Sequence, residues 1–257
     1  MHIEWRVRNR DVRAVQSLIN SSVHSTFVRG RVRRNVSGTC TAFSHESFWH
    51  VLLGCLLTTQ QRSGPGSPVS RFMRSSSCAL NLSDCSQLGV GVTVRRELSA
   101  FGGIRRAPTI ARQAEANYRW LTTEGWDLVA DQYERLSRQR ARRPRGVDVE
   151  AERAAATFID DHFQGFGPKQ SRNLWQWLGL TRYEIPLDSR ITKWLNQNVL
   201  DLKLSSVLLG DRSYYEFVMD GEEALCERAG VLPCVFDGAI FASFDREWTA
   251  AEFRGSA

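Results

Sequence analysis

Lysine and long apolar runs are scarce in this chain of 257 residues. Only three of its 34 basic residues are lysines, at positions 169, 193 and 203. The most apolar run, 48–57, is far shorter than the roughly 18 residues that a transmembrane helix requires. The first ten residues also lack the apolar centre of a secretory signal. The sequence therefore predicts neither a membrane span nor a membrane partner.

Cysteine is present but scattered. The six cysteines form no CxxC pair and no dense disulfide framework. Cys78 and Cys85 could suggest zinc, but no second pair completes a tetrahedral set of four ligands. We therefore predict reduced thiols in a cytoplasmic protein, without a metal or another cofactor. The cysteines lie at positions 40, 55, 78, 85, 226 and 234.

The basic residues favour a polyanionic partner. The formal net charge is +6, and 31 of the 34 basic residues are arginines. Guanidinium groups bind phosphates through two parallel hydrogen bonds, although a solvated surface is the default for each cluster. The clusters lie at 29–34, 71–74, 95–96, 105–106 and 138–145.

The hydrophobic periodicity predicts an all-α fold. Residues 48–57 carry a wide apolar stripe on one helical face, and the breakers at 63–68 end that helix. No alternating pattern of strands is present. Residues 1–44 are assigned no fold beyond a short helix near 12–19. Further helices are predicted from 67, at 94–101, 109–122, 126–138, 148–162 and 169–178, and after Asp188.

The segment 162–180 predicts two helices joined by a tight turn, Gly165-Phe166-Gly167-Pro168. The glycines would let the backbone bend sharply and approach a DNA phosphate. The amides that begin the next helix could then bind the anion. A plain helical hairpin, with glycines only for the turn, is the alternative.

Two chemically active residues follow this turn. Lys169 begins the next predicted helix, and Asp188 stands 19 residues later, where an N-cap belongs. Amide donors at that position would keep the Asp188 carboxylate ionised. The alternatives are a phosphate-binding role for Lys169 and a purely structural cap for Asp188.

These segments, GFGPKQSRN at 165–173 and IPLDSR at 185–190, resemble the helix-hairpin-helix-GPD superfamily of DNA glycosylases. Within it, the chain is similar to the Ogg type, which removes 8-oxoguanine. The resemblance implies that Lys169 forms a Schiff base with the deoxyribose and that Asp188 stabilises the cationic sugar. It also implies that Gly165, Phe166, Gly167 and Arg190 contact DNA.

The segment LLTTQQ at 56–61 is a looser match to the same superfamily. The resemblance implies that Gln60 fills the gap left by the flipped base, with Gln61 and Arg62 facing the orphaned partner base. Such a plug is needed because extruding a base costs a few kcal/mol. A solvated helix end is the alternative.

Residues 235–245 resemble the last helix of the Ogg family. In this alignment Phe241 stacks on the flipped base, and Asp237 takes the place of an amide that reads the base edge. An ionised carboxylate accepts hydrogen bonds but donates none, so Asp237 could read N–H donors of a guanine-type base. Core packing is the alternative for Phe241.

The resemblance also implies a division into two lobes. The glycosylase core would span 45–257, with a helical barrel at about 60–180. The second lobe would combine about 45–59 with 181–257, and DNA would bind between the lobes. Residues 1–44 are too few for the β-rich domain of the larger Ogg enzymes.

The sequence thus predicts a bifunctional DNA glycosylase and AP lyase that excises an oxidised purine, most simply 8-oxoguanine. We expect a monomer in the cytoplasm, associated with the nucleoid, whose partner is double-stranded DNA with a damaged or modified base. The alternatives are excision of another modified base on the same scaffold, for example in phage defence, and a non-catalytic DNA-binding module.

Overall fold

The computed structural model describes residues 4–75, 80–141 and 148–245, and all regular structure in these ranges is helical. The predicted all-α fold is thereby confirmed. None of the described helices is both long and apolar enough to cross a membrane. The α-helices are α1 (Asn9–Ser22), α2 (Thr26–Arg31), α3 (His45–Thr58), α4 (Pro68–Arg74), α5 (Leu82–Leu88), α6 (Val90–Phe101), α7 (Ala107–Trp120), α8 (Trp126–Arg140), α9 (Val149–His162), α10 (Pro168–Trp177), α11 (Ser189–Asn198), α12 (Arg212–Ala229) and α13 (Pro233–Phe244).

The chain divides into two compact units. Among the described residues, the first unit combines 4–39 with 167–245, and the second contains 40–166. In the predicted division, α3 shared a lobe with 181–257, and α10 lay in the barrel lobe. In the structure, α3 belongs to the unit that contains 40–166, and α10 belongs to the unit that contains 4–39 and 167–245. Residues 4–39 of the N-terminal segment, for which the sequence indicated no domain, are part of the first unit.

The second unit is organised around α3. Phe48, Trp49 and Leu52 are completely buried on this helix, which packs against α4, α5 and α7. The Trp49 indole donates a hydrogen bond to the Leu80 carbonyl at 3.0 Å. The sequence did not predict α5, because its seven residues carry little apolar periodicity. Helices α7 and α8 follow each other almost without a break, through a π-helical turn at Leu121–Gly125.

The first unit has its own apolar core. Helix α1 packs against α12 and α13, and α2 packs against α13. This core therefore joins segments from opposite ends of the described chain. Its largest fully buried side chains include Tyr215 and Phe236.

One acidic group lies inside this core. Glu222 of α12 is 1% exposed, and the Cys226 thiol donates to its Oε1 at 2.8 Å. Its Oε2 accepts no hydrogen bond from the described residues. Burial raises the pKa of Glu222 well above its usual value, against the smaller opposing effect of the Cys226 hydrogen bond. Burial therefore favours the protonated form of Glu222 in the folded protein.

This burial predicts a pH-dependent stability. In the unfolded chain Glu222 ionises above about pH 4.5, so its contribution to stability is complete below that pH and declines as the pH rises toward the folded-state value. Glu222→Gln should remove this decline, which is at most about 1.4 kcal/mol per pH unit. Denaturant unfolding at pH 5, 6, 7 and 8 measures the slope. Glu227→Gln, an exposed residue of the same helix, is the control, and an equal slope in wild type and Glu222→Gln would refute the assignment.

Candidate active site

Side chains of α7 contact the start of the turn between α9 and α10 and fix its backbone. Gly165 has a φ of +84°, a left-handed conformation that glycine adopts without steric cost. A Cβ atom at this position would lie 2.5 Å from the side-chain amide of Gln113. The Asn117 side chain accepts a hydrogen bond from the Gln164 N–H at 2.7 Å and donates to the Gln164 carbonyl at 3.1 Å. The backbone conformation therefore favours glycine at 165, and a Cβ atom there would also force the Gln113 side chain to move.

Helix α10 begins with open amides. Its N-cap, Gly167, supplies no side chain to the first turn, and Pro168 follows at the first helical position. The first N–H groups of a helix have no intrahelical partner, and such groups bind anions. Lys169 is half-buried on this turn, and its ammonium group forms no hydrogen bond or ion pair with the described residues.

Arg172 fixes the start of α10 within the first unit. It forms an ion pair with Glu184, with Nε 2.5 Å from Oε2, and neither side chain is more than 2% exposed. Its Nη1 donates to the Pro168 carbonyl at 3.0 Å, and its guanidinium lies over the Tyr215 ring, 4.5 Å from the ring centre. Because Glu184 directly precedes the segment 185–188, Arg172 joins the helix that carries Lys169 to the segment that carries Asp188.

Tyr215 fixes the backbone of the segment 185–188 through two hydrogen bonds. Its buried hydroxyl donates to the Ile185 carbonyl at 2.8 Å and accepts from the Leu187 N–H at 2.5 Å. Burial raises the pKa of Tyr215, so the hydroxyl keeps the proton that it donates. The two bonds set the backbone course immediately before Asp188.

Asp188 caps α11 and pairs with Arg190. Its Oδ1 accepts from the backbone N–H groups of Arg190, at 2.8 Å, and Ile191, at 3.3 Å. Its Oδ2 accepts from Nε and Nη2 of Arg190 at 2.9 and 2.6 Å. The structure therefore confirms Asp188 as an N-cap, and the side chain remains 16% exposed.

The surrounding charges keep Asp188 ionised. Burial opposes the charged form, but the Arg190 guanidinium and, less strongly, the charge of Lys169 outweigh it, so the pKa of Asp188 lies below its usual value. Lys169 and Asp188 belong to the same unit, and the charge of Lys169 contributes to the lowered pKa. The site thus combines an amine without a partner among the described residues and a fixed negative charge.

Phe241 is covered on both faces by charged and aromatic neighbours. The Phe27 ring stacks on it with ring centres 4.4 Å apart, and the Arg190 guanidinium lies 4.1 Å from its centre. Two groups this close cannot share one face of a ring, so they lie on opposite faces. Arg190 also donates to Asp245 at 3.0 Å. A base could stack on Phe241 only after one neighbour moves.

Asp237 lies one turn before Phe241 and meets α2. Its side chain is 9% exposed, and its Oδ2 is 3.1 Å from Nη2 of Arg31. The Cβ and Cγ atoms of Arg31 lie over Gly238, each 3.4 Å from the place where a Cβ would stand. The Arg31 side chain thus passes over Gly238 on its way to the carboxylate.

The same N-terminal segment is anchored behind α10. The buried Asn35 side chain donates to the carbonyls of Gln176 and Thr181 at 2.8 and 3.0 Å. In return, Arg182 donates to the carbonyls of Asn35 and Val36 at 3.0 and 3.2 Å. Residues 31–36 are thus fixed against the elements that carry Lys169 and Asp237.

The predicted DNA-contacting loop lies in the second unit. Gln60 has a φ of +56°, unusual for a residue other than glycine. Its side chain is exposed and forms no hydrogen bond with the described residues. By contrast, the Gln61 side chain donates to Leu57 at 2.5 Å and accepts from the Arg105 N–H at 3.0 Å. Gln61 therefore braces the loop, and Gln60 projects from it.

The predicted site residues are divided between the two units. Lys169, Asp188, Arg190, Asp237 and Phe241 belong to the first unit, as does Gly167. Gly165, Phe166, Gln60, Gln61 and the exposed Arg62 belong to the second. Among the described residues, no three His, Cys, Asp or Glu side chains are grouped so that they could hold a metal ion.

Sequence reasoning missed several residues of the site. Sequence reasoning did not pair Arg172 with Glu184. The available signal was the position of one charge beside the hairpin and of the opposite charge beside the Asp188 segment. Tyr215 and Phe27 gave none, because each lies far along the chain from the residues that it contacts, and Arg31 was noted only as a member of the basic cluster at 29–34.

Comparisons with known proteins bear on the fold. No protein-family model and no curated protein matches the sequence, but solved structures match the coordinates. The 8-oxoguanine DNA glycosylase of Methanocaldococcus jannaschii has a TM-score of 0.61 and 14% identity, over 91% of this chain and 92% of that chain. This chain has the fold of the 8-oxoguanine DNA glycosylases.

Two further structures share this glycosylase fold. One is the M. jannaschii 8-oxoguanine glycosylase/lyase in complex with a 15mer DNA containing 8-oxoguanine, with a TM-score of 0.61 and 14% identity over 90% of this chain and 94% of that one. The other is Tm1821, the 8-oxoguanine DNA glycosylase of Thermotoga maritima, with a TM-score of 0.58 and 14% identity over 90% and 93%. The resemblance inferred from the motifs is therefore confirmed at the level of the fold.

The Tyr215 hydroxyl offers a direct test of this arrangement. Tyr215→Phe would leave the Ile185 carbonyl and the Leu187 N–H without their partner, so we expect a loss of about 1–3 kcal/mol in the free energy of unfolding. Hydrogen exchange at Leu187 should accelerate more than exchange in the core of α12. Tyr214→Phe is the control, because the Tyr214 hydroxyl accepts from Ser205 instead. Unchanged protection of Leu187 would show that Tyr215 does not hold this segment.

Proposed function

We propose that this protein is a DNA glycosylase that flips and excises an oxidised purine, 8-oxoguanine in the simplest case, and then nicks the strand by β-elimination. The observation that carries the proposal is the presence of Lys169 and an ionised, Arg190-paired Asp188 in one unit of a glycosylase fold. The likeness to solved glycosylases supports the scaffold, and the two residues support the chemistry.

The reaction assigns a distinct role to each residue. The neutral Lys169 amine attacks C1′ of the deoxyribose, the bond between C1′ and the base breaks, and the base leaves with the bonding electrons and takes up a proton. Positive charge develops on the sugar as that bond breaks, and a fixed carboxylate lowers the energy of this state. The nitrogen lone pair then forms the C1′=N double bond as the C1′–O4′ bond breaks, and O4′ takes up the remaining amine proton, so that the opened sugar carries a Schiff base to Lys169. Removal of a C2′ proton then expels the 3′ phosphate and nicks the strand.

DNA contacts complete the proposal. The first-turn amides of α10 and the turn at Gly165–Gly167 would bind a backbone phosphate. Gln60, whose exposed amide projects from a braced loop, would fill the gap in the duplex, and Arg62 would lie beside it. Arg190 would contact DNA once it leaves the Phe241 ring. Phosphate contacts of this kind fix position without reading sequence.

The Schiff-base step gives the first functional prediction. Borohydride should trap the wild-type protein on DNA that contains 8-oxoguanine or an abasic site, and Lys169→Gln should abolish trapping while DNA binding remains. Gel mobility of the covalent complex measures the result. Lys203→Gln, which alters an exposed lysine of the same unit, is the control. Full trapping in Lys169→Gln would assign the nucleophile to another amine, and no trapping or excision in wild type would favour a non-catalytic DNA-binding module.

The carboxylate gives a second prediction. Asp188→Asn retains a side chain that can cap α11, but it removes the charge that pairs with Arg190, so we expect a moderate loss of stability. Excision should slow by at least about 100-fold, because the charge that stabilises the sugar is lost and each tenfold corresponds to about 1.4 kcal/mol of barrier. Single-turnover excision and thermal unfolding are measured together. Asp211→Asn, which alters the N-cap of α12, is the control; wild-type excision with a clear loss of stability in Asp188→Asn would make Asp188 purely structural.

A further inference from the structure

Arg31 and Asp237 form a buried ion pair with unused hydrogen-bonding capacity. Their closest atoms are 3.1 Å apart, and their side chains are 12% and 9% exposed. The contact lacks hydrogen-bond geometry, so Oδ2 of Asp237 accepts no hydrogen bond from the described residues. The Arg31 guanidinium likewise donates none to them. Leaving a buried polar group without a hydrogen bond costs about 1–3 kcal/mol. A ligand that supplied hydrogen bonds to both side chains would therefore stabilise this site.

The pair lies beside the aromatic stack. Asp237 and Phe241 are spaced i, i+4 on α13 and therefore share a helix face. The Arg31 guanidinium lies 5.4 Å from the centre of the Phe27 ring, which itself stacks on Phe241. A donor group and an acceptor group thus stand side by side next to two aromatic rings.

We propose that Arg31 of the N-terminal segment is a specificity-determining residue of the base pocket, which reads the Watson–Crick edge of a flipped purine jointly with Asp237. Arg31 donates to the carbonyl oxygen of a guanine-type base, and Asp237 accepts from its neighbouring N1–H. This inference rests on the function proposed above and assigns to α2 a role that the sequence did not indicate.

The pairing discriminates by chemistry at both positions. An adenine-type base presents an amine where guanine has its carbonyl, and a bare ring nitrogen where guanine has N1–H. Arg31 would then face a donor, and Asp237 would face an acceptor. A site that is built to hydrogen-bond one substrate edge discriminates by a large factor against a substrate whose edge leaves the buried groups of the site unpaired.

Arg31 also controls the charge of its partner. Burial raises the pKa of Asp237, and the Arg31 cation opposes this. The other groups that face Asp237 are Asp188 and Arg190 from the start of α11, Gln176 from α10 and Glu222 from α12. The charge of Asp188 favours the protonated form of Asp237, whereas Arg190 and Gln176 favour the charged form of Asp237. Loss of Arg31 would therefore shift protonation of Asp237 to higher pH.

The experiment compares 8-oxoguanine with 8-oxoadenine, which differ only at the Watson–Crick edge. Single-turnover excision is measured in identical duplexes from pH 5 to pH 9. Wild type should favour 8-oxoguanine, and Arg31→Gln should lower the ratio of the two rates at least tenfold. The ratio does not depend on the folded fraction, so a loss of stability cannot mimic this result.

The pH profile supplies the second readout. In Arg31→Gln the fall of 8-oxoguanine excision toward acid should begin at higher pH than in wild type, and Arg31→Lys should restore the wild-type profile because it keeps the cation. In an Asp237→Asn background, Arg31→Gln should shift no profile, because the titrating group is gone. Arg29→Gln, on the exposed side of α2, should leave the ratio unchanged.

Three outcomes would count against the inference. An unchanged ratio and an unchanged pH profile in Arg31→Gln, with excision intact, would overturn the role of Arg31 and leave the proposed function standing. An equal loss on both substrates would make Arg31 purely structural. A wild-type protein that excises neither base and cannot be trapped would instead overturn the proposed function, and this inference with it.

Discussion

The buried ion pair between Arg172 and Glu184 is the constraint on which the candidate site depends. Two charges removed from water are stable only together, and losing one partner of such a pair typically costs about 3–5 kcal/mol. Here the pair also contacts the Pro168 carbonyl and the Tyr215 ring. One charged contact therefore holds the start of α10 and the segment that ends at Asp188, so neither can shift without exposing or unpairing a charge.

The sequence predicted those features that are encoded locally. The hairpin glycines, the N-cap at Asp188 and the helix at α3 all follow from patterns a few residues long, and the structure contains each of them. The choice of Lys169 and Asp188 as a pair came from family resemblance, because no local pattern could show that the fold places them in one unit.

The remaining features depend on contacts between distant segments. The stacking of Phe27 on Phe241, the meeting of Arg31 with Asp237 and the anchoring of Asn35 each join the N-terminal segment to a part of the chain more than a hundred residues away. Helix α2 has only six residues and no marked amphipathic pattern, so nothing in its own sequence indicated a partner. The same limit applies to the assignment of α3 and α10 to units, which depends on packing rather than on local order.

The composition of the first unit has a consequence for how the protein is made. The second unit is a continuous stretch whose contacts can form as soon as it leaves the ribosome, because chains are synthesised from the N-terminus and domains fold as units. Helices α1 and α2 instead await α12 and α13, which are translated last among the described helices, and closing such non-local contacts is slow. A chain that lacks α12 and α13 therefore lacks the partners of Arg31 and Phe27, so the first unit cannot assemble before both of these helices have been made.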